Sequence, residues 1–205
     1  MSGLEEFSPK GMLHEGWSSQ VDDYAIVCGW ALQGKTFLVG DVAGGLYSFE
    51  GKSGKLIWQT KEIHKGGLLS MSIHPDGNTF ATAGQDGRVL IWESKEGKST
   101  NTLELGKGWV EHIKWSPDGK FLAVVFTKYV YVFNEKGQEH WRSEEHPSTV
   151  SAISWSNSNE LATACYGQVT FFDVVSDKIN QKLEWRGSLV SMVLSPDGDI
   201  VACGS

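Results

Sequence analysis

The stretch LLSMSIHPDGNTFATAGQDGRVLIWES, residues 68–94, decides the fold. Its opening MSI alternates apolar and polar residues at period two, the pattern of a half-buried strand. Pro75-Asp76-Gly77 is turn chemistry: proline presets φ at the turn's entry, and glycine accepts the positive φ that other residues resist. TFATAG follows, nearly continuous and rich in small residues, as a strand buried on both faces should be. After a short turn comes RVLIW, a third strand, and then a weaker fourth, STNTLEL at 99–105.

The same unit recurs along the chain. VEHIKWSPDGKFLAVVFTKYVYVFNEK (110–136) and VSAISWSNSNELATACYGQVTFFDVV (150–175) follow it, and LVSMVLSPDGDIVACGS (189–205) stops early. YAIVCGWALQGKTFLVGDVAGGLYSFEG (24–51) is an earlier, weaker copy. The turn after the first strand falls at Leu32, Pro75, Pro117, Asn157 and Pro196, at spacings of 43, 42, 40 and 39 residues. QEHWRS (138–143) and INQKLEW (179–185) supply further fourth strands. Self-similar quartets of antiparallel strands at this period are the blades of a β-propeller, whereas a single up-and-down barrel would not repeat itself in this way. The fold class is therefore all-β, a propeller of four-stranded antiparallel blades. The expected division is an N-terminal segment at 1–23, with WSSQ from Trp17 as one outer strand, and blades at 24–63, 64–106, 107–145, 146–185 and, in part, 186–205.

Composition narrows the function classes. The 205 residues carry 18 Lys and Arg against 25 Asp and Glu, a net charge of −7. Such an acidic balance argues against general nucleic-acid binding, which rests on clustered cations. No run of 18 apolar residues is present, and the first twenty residues carry acids with no apolar h-region, so neither a membrane span nor a secretory signal is expected. Cys28, Cys165 and Cys203 are odd in number and far apart, each in an apolar strand-like run. They read as buried small hydrophobes in a reducing, cytoplasmic setting.

The copy from His64 to Trp92 resembles the tryptophan–aspartate (WD) repeat family. In that family a His precedes the first strand, a Ser or Thr lies in the second, an Asp in the turn after it, and a Trp in the third. His64, Thr82, Asp86 and Trp92 occupy those places. The resemblance implies a buried hydrogen-bond chain from Trp to Thr to His to Asp, structural rather than catalytic despite its hydroxyl, histidine and carboxylate. The other copies depart from it. One has Lys107, Lys128 and Phe133; another keeps His146 and Thr163 but has Tyr166-Gly167 in the turn and Phe172; the first has Ala43 and Phe49. Large aromatics persist while the polar network lapses, so packing between blades should carry most of the cohesion.

Members of that family mostly dock proteins or peptides on one propeller face. The fold itself carries no chemistry. Register places Lys65, Lys107, Trp109, Thr149 and Arg186 before the first strands, and Val42, Gln85, Lys128 and Tyr166 in the turns after the second strands. Trp, Tyr and Arg dominate interface hot spots. The basic set Lys65, Lys107, Lys128 and Arg186 favours an acidic partner. The expectation is a non-catalytic interaction scaffold with a protein or peptide partner and no cofactor or metal. The alternative is a propeller holding a small molecule in its channel. YSFEGKSGKLIW (47–58), echoed by FNEKGQEHW (133–141), resembles the repeat of pyrroloquinoline-quinone dehydrogenases, in which the Trp packs across neighbouring blades. The secretion signal and acidic calcium cluster of such an enzyme are not visible. Among the histidines, only His140 and His146 lie close together, without the cysteine pair of a zinc finger. His74 stands where the turn approach ordinarily has Ser, and His112 is expected on a solvent or inter-blade face.

Length adds one expectation. Full rings of this kind take about seven blades of roughly 40 residues, about 280–300 in all. Four blades and half of a fifth would then be an incomplete ring, the N-terminal portion of a longer chain or one closed by self-association.

Overall fold

The computed structural model describes residues 16–205. Its strands form four antiparallel four-stranded sheets and one two-stranded sheet. The first sheet holds β1 (Ala25–Ala31), β2 (Thr36–Asp41), β3 (Leu46–Glu50) and β4 (Leu56–Thr60). The second holds β5 (Leu68–Ile73), β6 (Thr79–Gly84), β7 (Arg88–Glu93) and β8 (Lys98–Glu104). The third holds β9 (Val110–Trp115), β10 (Phe121–Phe126), β11 (Tyr129–Asn134) and β12 (Glu139–Arg142). The fourth holds β13 (Ala152–Trp155), β14 (Glu160–Cys165), β15 (Gln168–Asp173) and β16 (Lys178–Glu184). β17 (Ser191–Leu194) and β18 (Val201–Gly204) begin a fifth. Each strand pairs with the next in sequence, so each sheet is one meandering propeller blade.

The turns form as their residues dictate. Gly77, Gly119 and Gly198 close the Pro-Asp-Gly turns at φ of 70°, 77° and 80°. In two of these turns Ser116 and Ser195 accept a backbone N–H from the start of the next strand and donate to Asp118 and Asp197. His74 takes a different course. Its Nε2 lies 3.0 Å from the carbonyl of Gly119, so it ties the second blade to the third.

Burial peaks in the second strand of each blade and is least in the outermost. β6, β10 and β14 are almost wholly buried, whereas β8 and β16 are almost wholly exposed. The cores lie between blades. Leu38 and Leu46 of the first blade meet Phe80 and Trp92 of the second. Ala81 and Val89 meet Ile113, Trp115 and Val124 of the third. Ala123, Val130 and Trp141 meet Ile153, Trp155 and Leu161 of the fourth. Each large side chain buried this way contributes about 1.5–3 kcal/mol. Polar ties supplement the packing: Ser70 and Ser72 on β5 accept the backbone N–H groups of Ile113 and Trp115 on β9.

Two expectations change. The first sheet already has β4 as its outer strand, and residues 16–23 form no strand. Trp17 instead packs its ring against Phe37 and Phe49 and donates its indole N–H to Gly51. Residues 1–15 of the expected N-terminal segment lie outside the described residues. Second, only Cys165 is buried; Cys28 and Cys203 are exposed. They lie on the first and last sheets, whose outward faces meet no further blade among the described residues. Tyr24, Ile26 and Trp30 at one end, and Val190, Val193 and Ile200 at the other, are exposed for the same reason. The described array is thus an open row of four to five blades.

Candidate partner-docking face

The loops entering each blade and the turns after its second strand share one end of the strands. The tetrad anchors that end in the second blade. Trp92 Nε1 donates to Thr82 Oγ1 at 2.9 Å. Thr82 therefore has its hydrogen to give to His64 Nε2, 2.9 Å away. That leaves His64 Nδ1 as the donor to Asp86 Oδ1, at 2.9 Å. Asp86 also accepts from the backbone N–H of Lys65 and from the Arg88 guanidinium. Burial pushes His64 below the ordinary histidine value, so the ring is neutral, against the opposing pull of Asp86. Burial also pushes the Asp86 carboxyl upward, but the donors His64, Arg88 and Lys65 outweigh it and hold it below the usual range. All four side chains are committed to one another beneath the surface. Their work is to clamp the 61–67 loop onto the 85–87 turn.

The fourth blade keeps half of this chain. His146 Nε2 lies 3.0 Å from Thr163 Oγ1, while its Nδ1 donates to the carbonyl of Lys128 in place of an aspartate. Phe172 has no N–H to complete it. The first blade uses a clamp that sequence reasoning missed. Buried Asp41 accepts from Gly45 N–H at 2.7 Å and from the Tyr47 hydroxyl at 2.9 Å. Burial and the Asp41 carboxylate push the Tyr47 phenol up to about 12. The available signal was an acid closing one strand with a tyrosine six residues on.

Above these clamps the expected docking residues separate into groups. Lys65, Gln85, Lys107 and Trp109 come together, with Asp86 and glycines 66, 106 and 108, around an open depression of about 430 Å³. Trp109 is 52% exposed there. Arg186 lines a second depression, of about 340 Å³, with Gly167, Gln168, Glu184 and Trp185. Tyr166, 60% exposed, is next to Gly167. Its backbone N–H is held by the Ser148 hydroxyl beside exposed Thr149. Val42 is exposed and its N–H donates to Tyr24. Lys128 does not join the basic group freely: its ammonium pairs with Glu145 at 3.1 Å. Trp185, 55% exposed, was missed because it was counted as the end of an outer strand. It follows β16, where the second blade carries Leu105. Both residues donate N–H to the glycine after the second-strand turn, Gly167 and Gly87.

Among the described residues no group of three or more His, Cys, Asp or Glu is placed to hold a metal ion. His140 stacks on Phe121 and His146 is spent on Thr163. Half-buried His112 is also pushed down by burial. Trp58, which suggested the quinone-type repeat, stacks on Phe80 of the next blade and donates to the Ser94 carbonyl. Among the described residues no helix is long and apolar enough to cross a membrane.

Comparison with known proteins agrees with this architecture. The family described as "WD domain, G-beta repeat" matches residues 55–93, from β4 through β7, the segment that holds the tetrad. A p21-activated protein kinase-interacting protein 1-like protein of Gallus gallus is 35% identical over 38% of this chain and 23% of its own length. Echinoderm microtubule-associated protein-like 2 of Rattus norvegicus is 25% identical over 88% of this chain and 28% of its own. The WD repeat-containing protein SL1-17 of Schistosoma mansoni is 27% identical over 82% of this chain and 58% of its own. The chain thus spans from about a quarter to just over half of the length of these relatives. In three dimensions, the β-propeller domain of Myceliophteria thermophila Cps50 (Swd1) superposes with a TM-score of 0.77 at 15% identity, covering 92% of this chain and 64% of that one. The meandering blades, the buried His64–Thr82–Asp86–Trp92 chain and these matches together support a WD-repeat β-propeller.

Proposed function

We propose that the protein is a non-catalytic interaction scaffold that docks a protein or peptide partner at the blade end carrying Trp109 and Tyr166. The observation that supports this most directly is Trp109: a large aromatic, 52% exposed, beside Lys65, Gln85 and Lys107 over a rigid hydrogen-bonded clamp. Exposed Trp and Tyr on a fixed frame make strong contact anchors at little entropic cost. Lys65, Lys107 and Arg186 favour an acidic partner surface, a narrower basic set than four because Glu145 occupies Lys128. The relatives bear names of a kinase-interacting and a microtubule-associated protein, which suits a scaffold role. Free thiols suit a reducing compartment, and we place the protein in the cytoplasm.

The test is affinity capture from native cells with the 205-residue chain, followed by affinity measurement with the purified partner. Trp109→Ala and Tyr166→Ala should each weaken binding at least about tenfold, as hot-spot truncations do. Unchanged affinity in both folded variants would remove this face from consideration.

A further inference from the structure

The grooves between successive blades are filled differently. In the first and third blades, the outer strand sends a tryptophan toward the next blade: Trp58 pairs with Ser48, and Trp141 with Val132. Ser48, Ile91 and Val132 are equivalent, each preceding the third-strand aromatic Phe49, Trp92 or Phe133. Ile91 pairs with Asn101. Asn101 therefore stands in the second blade where its neighbours have tryptophan.

The surroundings of the three residues correspond too. Trp58 packs on the turn at Gly97, where a Cβ would lie 2.7 Å from its ring, and its N–H reaches Ser94. Trp141 packs on Phe172 and donates to Asp177 at 2.6 Å. Asn101 packs on Gly137, the matching turn residue, where a Cβ would lie 2.6 Å from its amide nitrogen. Asn101 is too short to cover what tryptophan covers elsewhere. A cleft of about 330 Å³ opens between the second and third blades, with Leu103, Trp115, Leu122 and Phe133 among its lining. A cleft of about 400 Å³ between the third and fourth blades differs, since Trp141 and charged side chains line it.

Two further observations bear on this cleft. Trp115 is 92% buried by its 8% exposure, and its indole nitrogen has no hydrogen-bond partner, whereas Trp58, Trp141 and Trp155 all donate. A buried donor left unpaired is costly. The charged residues lining the cleft are Glu135 and Asp76, the latter also 2.9 Å from His74 Nδ1 and accepting the Asn78 N–H, and no lysine or arginine lines it.

We infer that this cleft receives the tryptophan side chain of a partner peptide that carries a basic residue beside that tryptophan. The incoming indole takes the place that Trp58 and Trp141 fill in the neighbouring grooves, against Ile91, Leu103, Trp115, Leu122 and Phe133 within an otherwise polar lining. The adjacent cation meets Asp76 and Glu135. The cleft lies at the opposite end of the blades from Trp109 and shares no lining residue with the depression there. Failure of one reading leaves the other standing.

Isothermal titration of the 205-residue chain with the peptide acetyl-Lys-Trp-Lys-amide tests this. The Lys-Ala-Lys peptide should bind at least tenfold more weakly. Asn101→Trp fills the cleft internally and should cut binding of the Trp peptide at least tenfold while raising Tm by about 2–4 °C. Asn101→Arg, at an exposed position, should cut binding without that gain and serves if the first variant folds poorly. Glu135→Lys should weaken the Lys-Trp-Lys peptide more than neutral acetyl-tryptophanamide. Absence of binding to the unaltered chain, or undiminished binding to the folded Asn101 variants, overturns the proposal. So does a dimer of the unaltered chain that Asn101→Trp converts to monomer, because a second copy would then be the occupant.

Discussion

Nε2 of His64 and Oγ1 of Thr82 lie 2.9 Å apart, with Thr82 acting at once as acceptor for Trp92 and donor to His64. One hydroxyl therefore joins a third-strand aromatic to an entry loop through the middle of a blade. Thr82→Ala leaves both the Trp92 N–H and the His64 ring nitrogen without their partner, at a cost of about 1–3 kcal/mol for each buried group stranded. Thr163→Ala removes only the link to His146, because Phe172 makes none. Urea denaturation should show a larger drop in midpoint for Thr82→Ala than for Thr163→Ala, with the slope unchanged. Equal losses would mean that the tryptophan link adds nothing.

Stability should fall on the acid side of neutrality. His64, His112 and His146 are all held below the ordinary histidine value, with burial as the largest cause. Unfolded, they titrate near about 6.5. Between that value and their lower folded values, the unfolded chain binds more protons, so unfolding becomes easier as pH falls. Thermal melts should therefore be level from about pH 8 to 7 and descend below about 6.5. Asp86, held below the usual carboxylate range, adds a further loss as pH falls below about 4. His112→Gln should shallow the first descent. A Tm that rises on acidification from neutrality contradicts the assignment.

Gly119 is constrained from two directions. Its φ is +77°, and a Cβ there would lie 2.2 Å from His74 Nε2. Gly119→Ala should cost about 1–2 kcal/mol from the left-handed backbone alone, and more from displacing the imidazole. Replacing His74 with Ser, the residue its sister turns carry, removes the clash but also the tie between blades. In the double variant the two losses should sum to less than their separate total, as measured by a double-mutant cycle in chemical denaturation.

The basic side chains of the docking face should differ in effect. Lys107→Glu and Arg186→Glu place negative charge where we propose that an acidic partner surface docks. At low salt each should slow association with an acidic hexapeptide by at least about threefold, and the difference should shrink at high salt. Lys128→Glu should do less, because Glu145 already offsets that charge. Stopped-flow measurements at two ionic strengths separate these outcomes. If all three variants match the unaltered chain, charge plays no part in recognition.

The resemblance to WD repeats pointed to the tetrad, and the sequence by itself determined the strands, their turns and the period. Each is encoded locally: alternation sets strand faces, glycine permits the positive φ of Gly77 and Gly119, and a repeat preserves spacing from blade to blade. Register also placed Trp109 and Tyr166 at the end of the blades where they stand exposed. Contacts between segments distant in the chain were decided only in three dimensions. The Lys128–Glu145 pair and the Asp41–Tyr47 clamp depend on how strands of a single blade pair, while the bridge from His74 to Gly119 and the exposure of Cys28 depend on which blade meets which face. So does the meaning of Asn101. In sequence it is a polar residue in a weak outer strand. In the fold it stands where Trp58 and Trp141 cover neighbouring grooves, and its smaller side chain leaves a cleft between two blades.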